Sequence, residues 1–429
     1  MKNNDLILAV LLLLFVSCTQ YENDVLSDEI TTSIQTKSTQ HVMGIVEELP
    51  SLATVPRQEI IIKYRPNVTQ QEKDSIRNQY GVLQVKTCDC SAGNTQYELW
   101  VMDPQIQIEP TTKVIRNNDD EDKVELVLPN QGFGTPVAST LTSEEGSWEE
   151  FYPNHSNSFT TFLNKIVDTN TGVTVAILDT GIDVNFSTFS QAFLHNSSQN
   201  GLCNEVSGWN FVHGNNFPYD DDRYKHGTVI ANVIHSELQQ RGIAHQILPV
   251  KTADAQGFSD YFTTFCGLQY AIEMQADVIN LSFGWKNNDP YVYDLFSDLV
   301  NTTDATIVCS AGNDNLDNDV FPHYPSSLPH QNVLSVAAAK ANFNNAANYS
   351  NYGQTTVDFF AKGNKIYFPL NNSTNVVSHY GTSFATPLVS ARTAELISNG
   401  ILDVRVNLIQ QFGRSVSFQK PVYYMHLIQ

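Results

Sequence analysis

Lysine and arginine are scarce in this chain, 24 among 429 residues against 45 aspartates and glutamates, which leaves a formal charge of −21. Nucleic-acid binding depends on cations that neutralise phosphates, so that class of partner is excluded. A long apolar run is also missing. The one over residues 6–16 is too short for a bilayer, which needs about 20 residues, and reads as the core of a signal peptide behind Met1 and Lys2. Cysteine is limited to six residues with no CxxC pair and no His-spaced cluster, so no zinc site is expected. Charged residues make up only 16%, yet 41% hydrophobic content marks a globular chain. The length allows two or three units at roughly 150 residues each.

The segment Phe15-Val16-Ser17-Cys18 puts a small residue directly before a cysteine and resembles the lipobox of bacterial lipoproteins. The resemblance implies cleavage before Cys18, a lipid on its sulfur, and an exported, membrane-anchored protein on the periplasmic or cell-surface side. Residues 19–56 are polar with little periodicity and read as a flexible tether. Cys88 and Cys90 stand too close for a relaxed disulfide with one another, and the pairing of Cys88, Cys90, Cys203 and Cys266 is left open by the sequence. Cys309, inside the apolar run ATIVCSAG, is expected as a buried small residue and not as a nucleophile.

Residues 57–130 read as a small α+β domain. QEIIIKY (58–64) is an apolar strand; Thr69 to Glu72 is a capping-box pattern opening a helix with Ile76 and Tyr80 on one face and Gly81 at its end. Residues 82–86, 97–102 and 124–128 are further strands. The Gly-, Ser- and Thr-rich stretch 131–147 (QGFGTPVASTLTSEEGS) reads as a loop, within a linker over 131–160.

From about residue 161 to 429 the pattern becomes β/α alternation. Continuous apolar strands at 173–178, 278–282, 306–310 and 333–337 with helices between them predict a parallel sheet covered on both faces. Sites in such sheets form at the carboxyl ends of strands. Asp179 ends the first of these strands, His226 opens a helix with apolar positions Val229, Ile230, Val233 and Ile234, and Ser383 precedes a helix over 385–398 with Pro387 in its first turn. An ordered acid, base and nucleophile at element boundaries point to a hydrolase triad. Asp-Thr-Gly also occurs in aspartic peptidases, but no second Asp-Thr-Gly or Asp-Ser-Gly follows Asp179.

These motifs, VAILDTGID, KHGTVIANVI and YGTSFATPLVSA, together with INLSFG at 279–284, SAGN at 310–313 and YSNYG at 349–353, resemble the subtilases, the subtilisin-like serine peptidases, over roughly residues 164–400. The resemblance implies a subtilisin-like α/β fold and a serine endopeptidase with Ser383 as nucleophile, His226 as general base and Asp179 as its orienting carboxylate. Asn313 would donate its amide to the oxyanion together with the Ser383 N–H. Ser282, Phe283 and Gly284 on one side and Gly257, Phe258 and Ser259 on the other would hold an extended peptide between them, and residues 321–323 would contribute to the main pocket. The 57–130 domain resembles a propeptide, the chain's own partner, cut away between residues 128 and 148.

The departures are specific. Lys225 stands before His226 where the family usually has Gly, Val229 replaces a second His, Asn232 a later Gly, and Lys362 a common Pro. They allow an alternative, a catalytically silent subtilase-like binding protein. Asp220 to Asp222 are expected to line the cleft, bind a cation or form a solvated loop. No cofactor is expected to be required; structural calcium, frequent in the family, has no assigned ligands, and no metal is expected in the site.

Overall fold

The structure is a computed structural model that describes residues 41–48, 54–91, 96–117, 122–134, 137–141, 172–184, 194–197, 202–203, 206–286, 289–369 and 375–429. The signal peptide, Cys18 and most of the expected tether lie outside the described residues.

Asp179 ends a central strand because the chain over 173–179 is apolar on both faces. Strand β7 (Val173–Asp179) lies between β11 (Val278–Leu281) and β9 (His245–Lys251), parallel to both. Its alternate side chains enter opposite layers. Val175 and Ile177 join the cluster under helices α3 (His226–Gln240) and α6 (Thr382–Ser398). Ala176 and Leu178 face α4 (Tyr261–Glu273) and α5 (Pro290–Val300). The rest of the sheet is β12 (Thr306–Ser310), β13 (Val333–Ala339), β14 (Phe359–Lys362) and β18 (His426–Ile428) beyond β11, and β8 (Trp209–Asn210) beyond β9. All these neighbours are parallel; only β17 (Gly413–Ser415) runs antiparallel, on β18. This is the expected α/β architecture.

The N-terminal strands form a second, antiparallel sheet. Strand β2 (Val55–Tyr64) lies between β5 (Val124–Gly134) and β4 (Tyr97–Met102), with β3 (Val82–Lys86) beyond. Helix α1 (Gln70–Tyr80) has the expected capping box at Thr69 and ends on Gly81, whose φ of 71° is the left-handed conformation that glycine adopts without strain. A second helix, α2 (Ile108–Arg116), was not expected. Ile60 and Ile62 pack under these helices, whereas Ile61 points the other way, into the cluster shared with α4 and α5. The strand period of two therefore glues the small unit to the larger one.

Two expectations are corrected. Gln131 to Gly134 do not form a loop: they extend β5, and Gly132 to Gly134 pair with β10 (Phe258–Asp260). Glycine and asparagine suggest a turn locally, but an open strand edge offers backbone partners that override that preference. Residues 41–48, within the expected tether, form β1 (His41–Glu48), which lies beside β6 (Val137–Leu141) and β16 (Asn375–Tyr380), with β15 (Ile366–Pro369) at the far edge.

Candidate active site

Asp179 is buried at the carboxyl end of β7, and its Oδ1 accepts from the Thr180 N–H at 2.7 Å and lies 2.7 Å from His226 Nδ1. A carboxylate oxygen can only accept, so Nδ1 carries the proton and Nε2 is left as the basic nitrogen. Close approach enforces the Gly after the histidine. A Cβ on Gly227 would sit 2.3 Å from the Gly181 carbonyl oxygen and 3.1 Å from Asp179 Oδ1. The Gly227 N–H instead bonds Thr180 Oγ1 at 2.9 Å. Sequence reasoning passed over Thr180, although a hydroxyl directly after the strand-ending acid was its signal.

Asp220 to Asp222 are not a solvated loop. Asp220 receives both the N–H and the hydroxyl of Thr228, at 3.0 and 2.6 Å, and Asp222 accepts the His226 N–H at 3.0 Å. Burial, with the neighbouring Asp220 carboxyl, pushes Asp222 up to about 7. Lys225, left-handed at φ 54° and buried, gives its ammonium to the Asp220 carbonyl at 2.7 Å and lies 3.4 Å from the Asp183 carboxylate. Lys251 similarly bonds the Thr180 and Ala253 carbonyls and Asp221, at 2.5, 3.0 and 2.7 Å. Buried charges are tolerated only when paired in this way. The unusual residue before His226 is thus part of the scaffold that holds it, and the Asp179–His226 bond is intact despite the altered helix.

Ser383 is the second residue of α6, not the residue before the helix. Its position rests on two neighbours. The Thr382 N–H and hydroxyl both donate to Asn313 Oδ1 at 2.8 Å, which turns the amide's donor end away from Thr382. Ser282 Oγ donates to the Ser383 carbonyl at 3.0 Å and receives Asn280 Nδ2 at 2.9 Å. Pro387 lies in the second turn of α6 and lacks the N–H that would otherwise bond that carbonyl. The His226 and Phe384 rings meet edge-on with centroids 5.3 Å apart, so α3 and α6 bring the imidazole beside the residue that follows Ser383.

The remaining expected residues border two features. Gly257, Phe258 and Ser259 lie at or next to β10, where Phe258 pairs with Gly134 and Ser259 with Phe133. Phe133 in turn enters an aromatic nest, 5.8 Å from Tyr261, 5.9 Å from Phe283 and 4.8 Å from Trp285 between ring centroids. Beside Ser282 and Phe283, Gly284 faces the buried His323 ring: a Cβ on Gly284 would lie 2.4 Å from His323 Cε1, and one on Gly312 would lie 3.0 Å from its Cδ2. The imidazole fills the space between these two segments, and burial pushes it down to about 4. Phe321 is exposed. Among the described residues no group of three or more His, Cys, Asp or Glu could hold a metal ion.

The model of the subtilase family matches residues 170–411, more than half of the chain. The chain belongs to the subtilase family. This subtilase is 24% identical over 366 residues to the thermophilic serine proteinase of Bacillus sp. (strain AK1), covering 84% of this chain and 82% of that protein. It is 29% identical over 235 residues to thermitase of Thermoactinomyces vulgaris, covering 53% and 76%. With subtilisin-like protease 2 of Plasmodium falciparum (isolate 3D7) it shares 27% over 238 residues, 53% of this chain but only 17% of that protein.

Proposed function

We propose that this subtilase is a serine endopeptidase working through Ser383, His226 and Asp179. The observation that carries the reading is the 2.7 Å contact between Asp179 Oδ1 and His226 Nδ1, made by an imidazole that also meets the ring of Phe384 in the first turn of α6. Ser383 Oγ attacks the scissile carbonyl while His226 Nε2 takes its proton; Asp179 holds the tautomer and stabilises the imidazolium. The Asn313 amide and the Ser383 N–H receive the oxyanion. Collapse expels the amine, which takes the proton from His226, and water repeats the sequence on the acyl-enzyme.

The substrate would add as a strand to Gly257 through Ser259, opposite Ser282 through Gly284. His323, filling the space between Gly284 and Gly312, supports a preference for small side chains at the acyl-donor residue. The N-terminal unit acts as a propeptide: Gly132 to Gly134 lie on β10 as a substrate would, which supports a self-cleaved bond between residues 134 and 148. The 366-residue similarity to the Bacillus proteinase, which reaches well upstream of residue 170, agrees with this. The disulfides Cys88–Cys266 and Cys90–Cys203, which need an oxidising compartment, support export, and the lipobox-like segment supports a lipid anchor on Cys18.

A serine-directed fluorophosphonate tests the peptidase reading on purified protein with and without dithiothreitol. Labelling of Ser383 in at least one condition, absent from Ser383→Ala, is expected. A folded protein that stays unlabelled in both would instead be a subtilase-like binding protein.

A further inference from the structure

Two disulfides join the N-terminal unit to the peptidase unit. Cys88 pairs with Cys266, 178 residues away, and Cys90 with Cys203, 113 residues away. Cys88 and Cys90 sit on the short loop after β3, and Cys266 lies within α4, the helix that follows β10 in the chain. The loop is seated as well as bonded: Gln269 Nε2 donates to Ser91 Oγ at 2.8 Å. Between the bridges and β10 the interface is continuous. Tyr97 meets Phe265 at a tilt with ring centroids 4.5 Å apart, Asn130 Oδ1 accepts the Phe262 N–H at 3.2 Å, and Lys63 pairs with Asp298 at 2.8 Å.

We propose that these bridges are a reducible clasp that keeps the N-terminal unit on the substrate edge after the main chain has been cut. The proposal rests on the peptidase reading above. A cut after Gly134 would normally turn the docked unit into a separate chain that leaves on dilution. Two bridges instead keep its effective concentration at the edge on the order of millimolar, whatever the protein concentration. Gly132 to Gly134 then continue to occupy β10, and Phe133 the nest of Tyr261, Phe283 and Trp285. The mature protein is therefore two chains in one covalent body, and cleavage alone does not open it.

Opening takes a dithiol reductant. Its thiolate attacks the partly exposed residue of each bridge, Cys88 or Cys203, and expels the buried Cys266 or Cys90 as thiolate. The second thiol of the reductant resolves the mixed disulfide. Two dithiols are oxidised to two cyclic disulfides, and the two protein bridges become four thiols. The cut unit can then dissociate.

The test uses the full chain, purified without reductant and allowed to process, at nanomolar concentration. One band on a non-reducing gel, two on a reducing gel, and a rise of about tenfold or more in fluorophosphonate labelling of Ser383 and in peptide hydrolysis after dithiothreitol are expected. An N-terminal fragment that separates without reductant overturns the clasp, as does labelling that is equal before and after reduction. No labelling in either state refutes the peptidase reading itself and the clasp with it. The Cys88→Ser/Cys90→Ser variant should label without reductant. Should it not fold, wild-type protein reduced, alkylated with iodoacetamide and freed of reductant must show the same reductant-independent labelling.

Discussion

Ser282 Oγ donates to the carbonyl oxygen of Ser383 at 3.0 Å, where the proline at 387 leaves that acceptor without its helical partner. The strand-end segment of 282–284 thereby sets the height of the first turn of α6. A residue assigned from sequence to substrate binding also positions the nucleophile's backbone.

Ser282→Ala should lower stability by about 1 kcal/mol, the usual worth of one such bond, and reduce kcat with little change in KM. Pro387→Ala restores an N–H four residues after Ser383. The double variant should therefore lose less than the sum of the single losses, read from urea midpoints and steady-state kinetics. Strict additivity would refute the compensation.

Asp179→Asn replaces an acceptor with an amide that can also donate, and no longer selects the Nδ1–H tautomer of His226. A fall of roughly 10⁴ in kcat is expected, against roughly 10² to 10³ for Asn313→Ala. Kinetics on the reduced, opened enzyme would show the order; a larger effect at Asn313 would contradict the assigned roles.

Removing the imidazole with His323→Gly should open the space between Gly284 and Gly312. Hydrolysis of substrates with large acyl-donor side chains should then rise relative to small ones, measured as a ratio of kcat/KM on paired peptides. An unchanged ratio would mean that His323 does not bound the pocket.

Stability should depend on pH with two opposing slopes. Burial pushes His235, His323 and His379 down to about 4, about 4 and about 3. The unfolded chain, with histidines near 6.5, binds more protons in that window, so their contribution is full above about pH 6.5 and is lost as pH falls. Asp222 and Asp358, pushed up by burial to about 7 and about 6, act in the opposite sense, because the folded state binds the extra proton. His323→Gln should flatten the acid limb of a urea-midpoint profile between pH 7.5 and 4.5, and Asp222→Asn should steepen it. Parallel profiles for all three proteins would sink this account.

Much of the site was legible because each of its residues marks an element boundary. Strand-ending Asp179, helix-opening His226 and the Gly-Thr-Ser turn before α6 are local patterns, and Asn313 follows its strand by three residues. The small-domain strands 82–86 and 97–102 were legible for the same reason. Helix α2 was not: its nine residues include Pro110, and no side chain caps its first turn. The QGFG strand was hidden by composition, because its partners, Val55 and Pro56 on β2 and the β10 edge, lie too far along the chain for any local window to contain them.

By itself the sequence determined the β/α alternation of the larger unit, the family, and which residues carry an acid, a base and a hydroxyl, because those follow from periodicity and short motifs. Only the tertiary structure decided what surrounds them. Asp220 and Asp222 are buried and hydrogen-bonded and Asp221 is paired with Lys251 instead of solvated, His323 occupies a space that could have been a pocket, and Cys88 and Cys90 meet Cys266 and Cys203 across two units. Each of these depends on contacts between segments distant in the chain, where burial and exclusion of water, not local propensity, choose the partner.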